Sequence, residues 1–225
     1  SVGIGARSIS TVSLLAGAFL VAGAPLVARV IAISDRAGDP DVLAGGLIAR
    51  GGSDEQQANW LPTLASGEAV WTVAVHEPDG GFTDAGITTQ AVAADDGVTL
   101  TGIKRHVLFA SAAQHLIVAA KAADDRVDLF VVDAGAANMT LTQQMSIASD
   151  TQYQVAFANT PAVRLGDAGT GWHNWNQTLT EAMILLSAQA VGGADQALKI
   201  TADYSKERKQ FGKALAEFQA LSHDM

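Results

Sequence analysis

The stretch GVTLTGIKRHVLF, Gly97 to Phe109, is rich in β-branched residues and follows Asp95-Asp96 directly. Asp-Gly between two such runs is a tight hairpin signal, so this stretch predicts a strand turning back on its predecessor. The neighbouring runs are of the same kind. AVWTVAVH (69–76), GITTQAVAA (86–94), HLIVAAKA (115–122), VDLFVVD (127–133) and QVAFANT (154–160) are short, apolar and punctuated by Gly, Asp or Pro. Six strands at this spacing predict a central antiparallel β-domain over residues 68–168, built as a sandwich or barrel.

On either side the period changes to that of helices. Residues 1–67 are rich in Ala, Leu and Gly and read as the end of an N-terminal helical domain. Within them Ser53-Asp54-Glu55-Gln56 has the spacing of a capping box, opening a helix that Pro62 limits or bends. Ser8 to Ala28 carries no charge and is long enough to span a bilayer. Gly17, Gly23, Pro25 and the early Ser and Thr residues lower its hydrophobicity, and a pair of buried helices broken near Pro25 is expected instead of a membrane anchor. Residues 169–225 read as the first helices of a C-terminal bundle. From 174 to 205, Leu179, Met183, Leu186, Ala190, Ala194, Ala197 and Tyr204 form one apolar stripe. Lys206, Arg208 and Lys209 fall in the expected last turn, where cations complement the helix dipole, and Gly212 is placed to close the helix. The fold class expected is therefore α+β: helices, then an antiparallel sheet, then helices.

Totals narrow the function. The 225 residues are 48% apolar and 16% charged, with net charge −9. An acidic chain is a poor partner for nucleic acid or an anionic membrane surface. The absence of Cys excludes disulfides, thiol nucleophiles and Cys-based zinc sites. None of the five His sits four residues from another, so no metal site is expected. The chain begins with Ser and ends inside a helical pattern, and a fragment of a longer, cytoplasmic polypeptide is expected.

Four strings in order resemble the acyl-CoA dehydrogenase family. GSDEQQANWLPTLASGE (52–68) is similar to the segment joining that family's helical domain to its β-domain. HEPDGGFTDAGI (76–87) resembles its T-E-P-x-x-G-S-D loop, GIKRHVLFASAA (102–113) its G-x-K-x-W-I-T-N, and ERKQFGKALAEFQALSHDM (207–225) its E-R-x-Q-F-G-x-x-L-x-x-F-Q. The resemblance implies a helical domain, a β-domain and a four-helix bundle, with FAD as cofactor and desaturation of an acyl-CoA thioester as reaction. It implies cofactor contacts at Val75, His76, Gly81, Phe82, His106 and Leu108. Arg208, with Gln210 and Phe211 beside it, would reach the FAD pyrophosphate of a neighbouring subunit, a task suited to a guanidinium fork. It implies further an oligomer, homomeric or heteromeric, and an electron-transfer flavoprotein as possible acceptor.

Departures from the family pattern are as informative. His76 stands at its Thr, Phe82 at its phosphate-binding Ser, His106 at its aromatic, and Leu108 at the Thr that bonds the flavin. Leu can donate no hydrogen bond. The family's usual catalytic glutamate would lie beyond residue 225. Some branches carry the base on the helix spanning 174–205, at a position that aligns with Ala182. Glu181 beside it is the candidate there only if the helix register shifts, because one residue turns a side chain by about 100°. Three functions stay open on these residues: an FAD-dependent acyl-CoA dehydrogenase, a non-catalytic partner subunit of a heteromeric one, and a flavin monooxygenase or oxidase on the same architecture.

Overall fold

The computed structural model describes residues 40–94, 97–147 and 150–223. The uncharged segment 8–28 and the first two residues of the Asp95-Asp96-Gly97 turn lie outside them. The described chain divides into two compact units, with the boundary between Ala182 and Met183.

In the first unit, helices α1 (Pro40–Gly51) and α2 (Asp54–Ser66) precede seven strands. These are β1 (Trp71–Ala74), β2 (Gln90–Ala94), β3 (Gly97–Leu108), β4 (His115–Lys121), β5 (Val127–Asp133), β6 (Met139–Gln144) and β7 (Gln152–Arg164). Helix α3 runs from Gly171 to Glu207. The strands form one sheet that closes on itself. β4 pairs with β5, β5 with β7, β7 with β3, β3 with β2, and β2 meets β4 again at Gln90↔Lys121. The hairpin expected before Gly97 is present, with Ala94 opposite Gly97.

Three features differ from the sequence expectation. β1 runs parallel to β4, as does the β2 contact, so the barrel is mixed and not purely antiparallel. Parallel neighbours need a long connection, and forty residues including β2 and β3 separate β1 from β4. The strand Met139–Gln144, MTLTQQ, was not expected, and the strand built on QVAFANT extends at both ends to Gln152 and Arg164. The extension passes through Pro161, which lacks an N–H. It is tolerated because β6 pairs with residues 152–157 and β5 with 163–164, leaving Pro161 between the two partners on that edge.

Two hydrophobic clusters lie on the two faces of the sheet. Leu116, Val118, Ala120, Phe130 and Val132 face one cluster with Leu100, Val107, Val155 and Phe157. The intervening Ile117, Ala119, Leu129 and Val131 face the other, where Leu47 and Ile48 of α1, Leu61 and Leu64 of α2, Trp71 and Trp175 pack. β4 and β5 are thus buried on both sides, which is why they read as unbroken apolar runs. Alternation cannot appear where neither face meets water.

The connection between helices and barrel is hydrogen-bonded. Ser53 caps α2 in the capping box that the sequence predicts: its hydroxyl accepts from Gln56 N at 3.2 Å while Gln56 Oε1 accepts from Ser53 N at 3.0 Å. Pro62 lies inside α2 and does not end it; Gly67, at φ 75°, does. Gln56 also reaches the end of β7, donating from Nε2 to Arg164 O at 2.7 Å and accepting from Gly166 N at 3.0 Å.

In the second unit α3 ends at Glu207, so Lys206 lies in its last turn as expected, while Arg208 and Lys209 fall beyond it. Lys209–Gln210 (β8) and Lys213–Ala214 (β9) form a two-residue hairpin. Phe211 and Gly212 occupy its corner at φ 53° and 84°, the pair of left-handed residues such a turn needs. Gly212 is left-handed as its sequence position suggests, but it turns a hairpin and does not close a helix. A short helix, α4 (Gln219–Ser222), follows. Among the described residues no helix is long and apolar enough to cross a membrane.

Ser53→Ala removes one cap and is expected to cost about 1 kcal/mol. Gln56→Ala also strips partners from Arg164 and Gly166 and is expected to cost about 2 kcal/mol. Urea unfolding midpoints check the order of the two.

Candidate functional site

Beyond β1 the chain leaves the sheet at Val75, and β3 takes hold of it. Lys104 Nζ donates to Val75 O at 3.2 Å and to Glu77 Oε1 at 2.6 Å, and Arg105 N donates to His76 O at 2.8 Å. Lys104 is fully buried and Glu77 is 7% exposed. The Glu77 carboxylate is saturated. It accepts from the backbone N–H of Thr88 at 2.8 Å and of Thr89 at 3.0 Å, from the Thr89 hydroxyl at 2.7 Å, and from the Thr88 hydroxyl in a short contact. Burial alone would raise its pKa. The bonds from Lys104 and Thr88, the Lys104 charge and the Thr89 N–H outweigh burial and lower it to about 2. For Lys104 the balance goes the other way: burial dominates over the bond and charge of Glu77, lowering it to about 8. Five donors converge on the Glu77 carboxylate, and the desolvation of two buried charges brings the net energy of the pair near break-even.

A cleft of about 150 Å³ opens beside this pair, lined by Leu43, Thr72, Val73, Val75, His76, His106, Leu108 and Trp175. Four of the residues singled out by the sequence thus converge: Val75 and His76 on one wall, His106 and Leu108 on the other. A β-bulge makes this possible. Lys104 pairs with Val155 and Val107 with Tyr153, so β3 has one residue more than β7 across this step. Strand alternation would otherwise put His106 on the face of Lys104; the bulge lets one be buried and the other open to the cleft. His106 sits at φ 54°. Its N–H donates to Gln144 Oε1 at 2.8 Å and its Nδ1 lies 2.9 Å from Gln152 Oε1. The Thr72 hydroxyl is spent on Leu108 O at 2.6 Å. Burial, then His106, then Lys104 hold the His76 imidazole below its ordinary pKa, so it stays neutral at pH 7.

The other predicted residues lie elsewhere. Gly81 is on the exposed loop after Glu77. Phe82, 89% exposed, points its ring edge-on to His76 at 5.4 Å. Glu181 is exposed and paired with Arg50 at 2.5 Å, while Ala182 beside it is buried. In the second unit Arg208 is exposed, with its N–H bonded to Tyr204 O and its carbonyl to Leu215 N. Gln210 lies in β8, and Phe211, at the hairpin corner, faces Phe218.

Glu77 and Lys104 are not among the residues that the sequence motifs single out. A signal existed. Leu100 and Lys104 share one face of β3 by period two, and a lysine on a core-facing position calls for a carboxylate. Thr72, Leu43 and Trp175 carried no local signal, because they come to the cleft from other elements.

Comparison with known proteins agrees with this architecture. Residues 169–225 match the family model described as acyl-CoA dehydrogenase, C-terminal domain. The chain is 31% identical over 205 residues to (2S)-methylsuccinyl-CoA dehydrogenase of Cereibacter sphaeroides, covering 80% of this chain and 36% of that protein. It is 28% identical over 193 residues to the caffeyl-CoA reductase-Etf complex subunit CarC of Acetobacterium woodii, covering 81% of this chain and 51% of that protein. Among solved structures, butyryl-CoA dehydrogenase from Megasphaera elsdenii superposes with a TM-score of 0.76 at 27% identity, over 90% of this chain and 58% of that one. The chain belongs to the acyl-CoA dehydrogenase family. It spans between about a third and a half of the length of the two curated relatives described.

Glu77→Gln leaves Lys104 buried with an uncompensated charge and is expected to cost about 3 kcal/mol of stability. In the unaltered protein the Glu77 contribution is fully present above its unfolded pKa of 4.5 and is lost as pH falls toward about 2. Urea midpoints measured from pH 6 to pH 2 should therefore fall for the native chain, and less steeply for Glu77→Gln.

Proposed function

We propose that this chain is part of an FAD-dependent acyl-CoA dehydrogenase, with the Val75–His76 and His106–Leu108 walls facing the flavin. The observation that supports it is the convergence of those four residues, distant in sequence, on one cleft. The residues present fit such a group. The walls are largely apolar, suiting a planar ring system, and two imidazoles supply polar contacts that Leu108 and the already bonded Thr72 hydroxyl do not. When bound, the flavin would supply the hydride acceptor for α,β-desaturation of an acyl-CoA thioester.

The chain's own residues take defined parts. Neutral His76 offers a donor or acceptor to the cleft without adding charge. His106 is oriented by Gln144 and Gln152. Arg208, exposed on the second unit, carries the charge for the diphosphate of a neighbouring subunit's cofactor. Glu181 is held by Arg50 and is not assigned as base; the base is placed outside these 225 residues. A family member named as a subunit of an Etf complex supports an electron-transfer flavoprotein as acceptor.

The second reading is a subunit that supports a partner's flavin. It is favoured by Leu108, which offers no donor where the family places a hydroxyl, and by Phe82, which stands 89% exposed where the family places a Ser.

The visible absorption spectrum of the full-length gene product, purified alone, tests the proposal. Flavin bands are expected, with Arg208→Ala weakening FAD retention about 10- to 100-fold. A colourless protein that gains flavin only with a partner subunit supports the second reading. One that gains none with any partner overturns both.

A further inference from the structure

We propose that the buried Glu77–Lys104 pair is the positioning device of the cleft, holding His76 at a fixed place opposite His106; this rests on the flavin-site reading above. The two walls of the cleft are held by different means. His106 belongs to β3, inside the sheet, and its own amide and ring are bonded to Gln144 and Gln152. His76 has no such support. β1 ends at Ala74, and no sheet ladder continues through Val75, His76 and Glu77.

What replaces the ladder is a set of contacts from two consecutive residues of β3. The Lys104 ammonium bridges the carbonyl before His76 and the carboxylate after it, while the Arg105 N–H takes the carbonyl of His76 itself. Every backbone or side-chain bond in this set brackets the one imidazole that faces the cleft from this wall. The Glu77 carboxylate then closes the far end. Its bonds to Thr88 and Thr89 tie the base of the loop that carries Phe82 to the start of β2. The loop itself is pinched: a Cβ on Gly86 would lie 2.6 Å from Gly81 N, and one on Gly80 2.6 Å from Gly86 O. Thr89 in turn packs against Gly102 of β3, where an added Cβ would meet its hydroxyl at 2.5 Å. Loop, wall and strand are therefore one mechanical unit with the ion pair at its centre. Its output is the place of the His76 ring, which the Phe82 ring meets edge-on at 5.4 Å.

A purely structural pair would hold the barrel together and leave His76 indifferent to its geometry. The positioning role makes a different statement: shortening the pair without changing its charge must displace His76. The charged and titratable groups about that ring are His106, Lys104, the adjacent Glu77 and Arg105, whose amide holds its carbonyl. His106, Lys104 and Arg105 are kept in Glu77→Asp, and so is the carboxylate charge, now one methylene short of Lys104. A change in the His76 titration in that variant therefore reports position and not charge.

The experiment follows the His76 imidazole proton by NMR through a pH titration of the full-length polypeptide without cofactor. The resonance is assigned by its loss in His76→Gln, and FAD affinity is measured in parallel. In Glu77→Asp the His76 pKa is expected to rise toward the ordinary histidine value as the ring gains water, and FAD binding to weaken about tenfold. An unchanged titration overturns the inference. Should Glu77→Asp fail to fold, the apolar double variant Glu77→Leu with Lys104→Met is read by the proton–proton contact between the His76 and Phe82 rings: its loss supports the inference and its survival overturns it. An unaltered protein that binds no FAD, with His76 still shifting in the variant, removes the flavin reading and leaves the positioning role intact.

Discussion

A carboxylate with five hydrogen-bond donors and a buried ammonium is the constraint around which the cleft is arranged. Glu77, just beyond β1, and Lys104 of β3 meet where both side chains are shut off from water. Such a pair stabilises little on its own, since the desolvation of two charges offsets most of their attraction. Its value is directional. A buried charge cannot tolerate a missing partner, so the geometry that satisfies Glu77 is enforced on Val75, His76, Thr88 and Thr89 at once. The alternative conformations of that loop would each leave a charge or several amide groups unpaired.

The barrel supplies the rigid frame for this arrangement. β4 and β5, buried on both faces, separate the core enclosed by the sheet from the core shared with α1, α2 and the start of α3. Trp175 is buried in the second core and also lines the cleft, so the first turns of α3 are part of the wall and not an appendage. Asp128 of β5 fixes that start, accepting from Gly169 N at 2.7 Å and pairing with Arg164. The Trp60–Trp71–His115 column, with ring centroids 5.4 and 4.3 Å apart, closes the same core near Asp133, which holds the imidazole at 2.8 Å.

Much of this was legible in the chain. Period and punctuation located six of the seven strands, the α2 cap and the long helix. What escaped had physical reasons. MTLTQQ has few large apolar residues because β6 is bonded along one edge only and lies largely open to water. Parallel pairing of β1 is a long-range event that no local pattern announces. Gly212 was recognised as left-handed, but the same conformation serves a helix end and a hairpin corner, and only the pairing of Lys209 with Ala214 decides. At the site, the motif-bearing residues Val75, His76, His106 and Leu108 were found, because their strings carry a family pattern. Glu77 lies within one of those strings, but a carboxylate before proline also fits an ordinary turn. Its burial depends on a lysine twenty-seven residues away.

In the function we propose, the cleft between His76 and His106 is where the flavin binds. The most direct test is a crystal structure of the full-length polypeptide grown with FAD. The isoalloxazine ring is expected in van der Waals contact with Leu108, with the His76 and His106 imidazoles at its edge. A flavin seated elsewhere, with that cleft closed or filled by side chains, would contradict it.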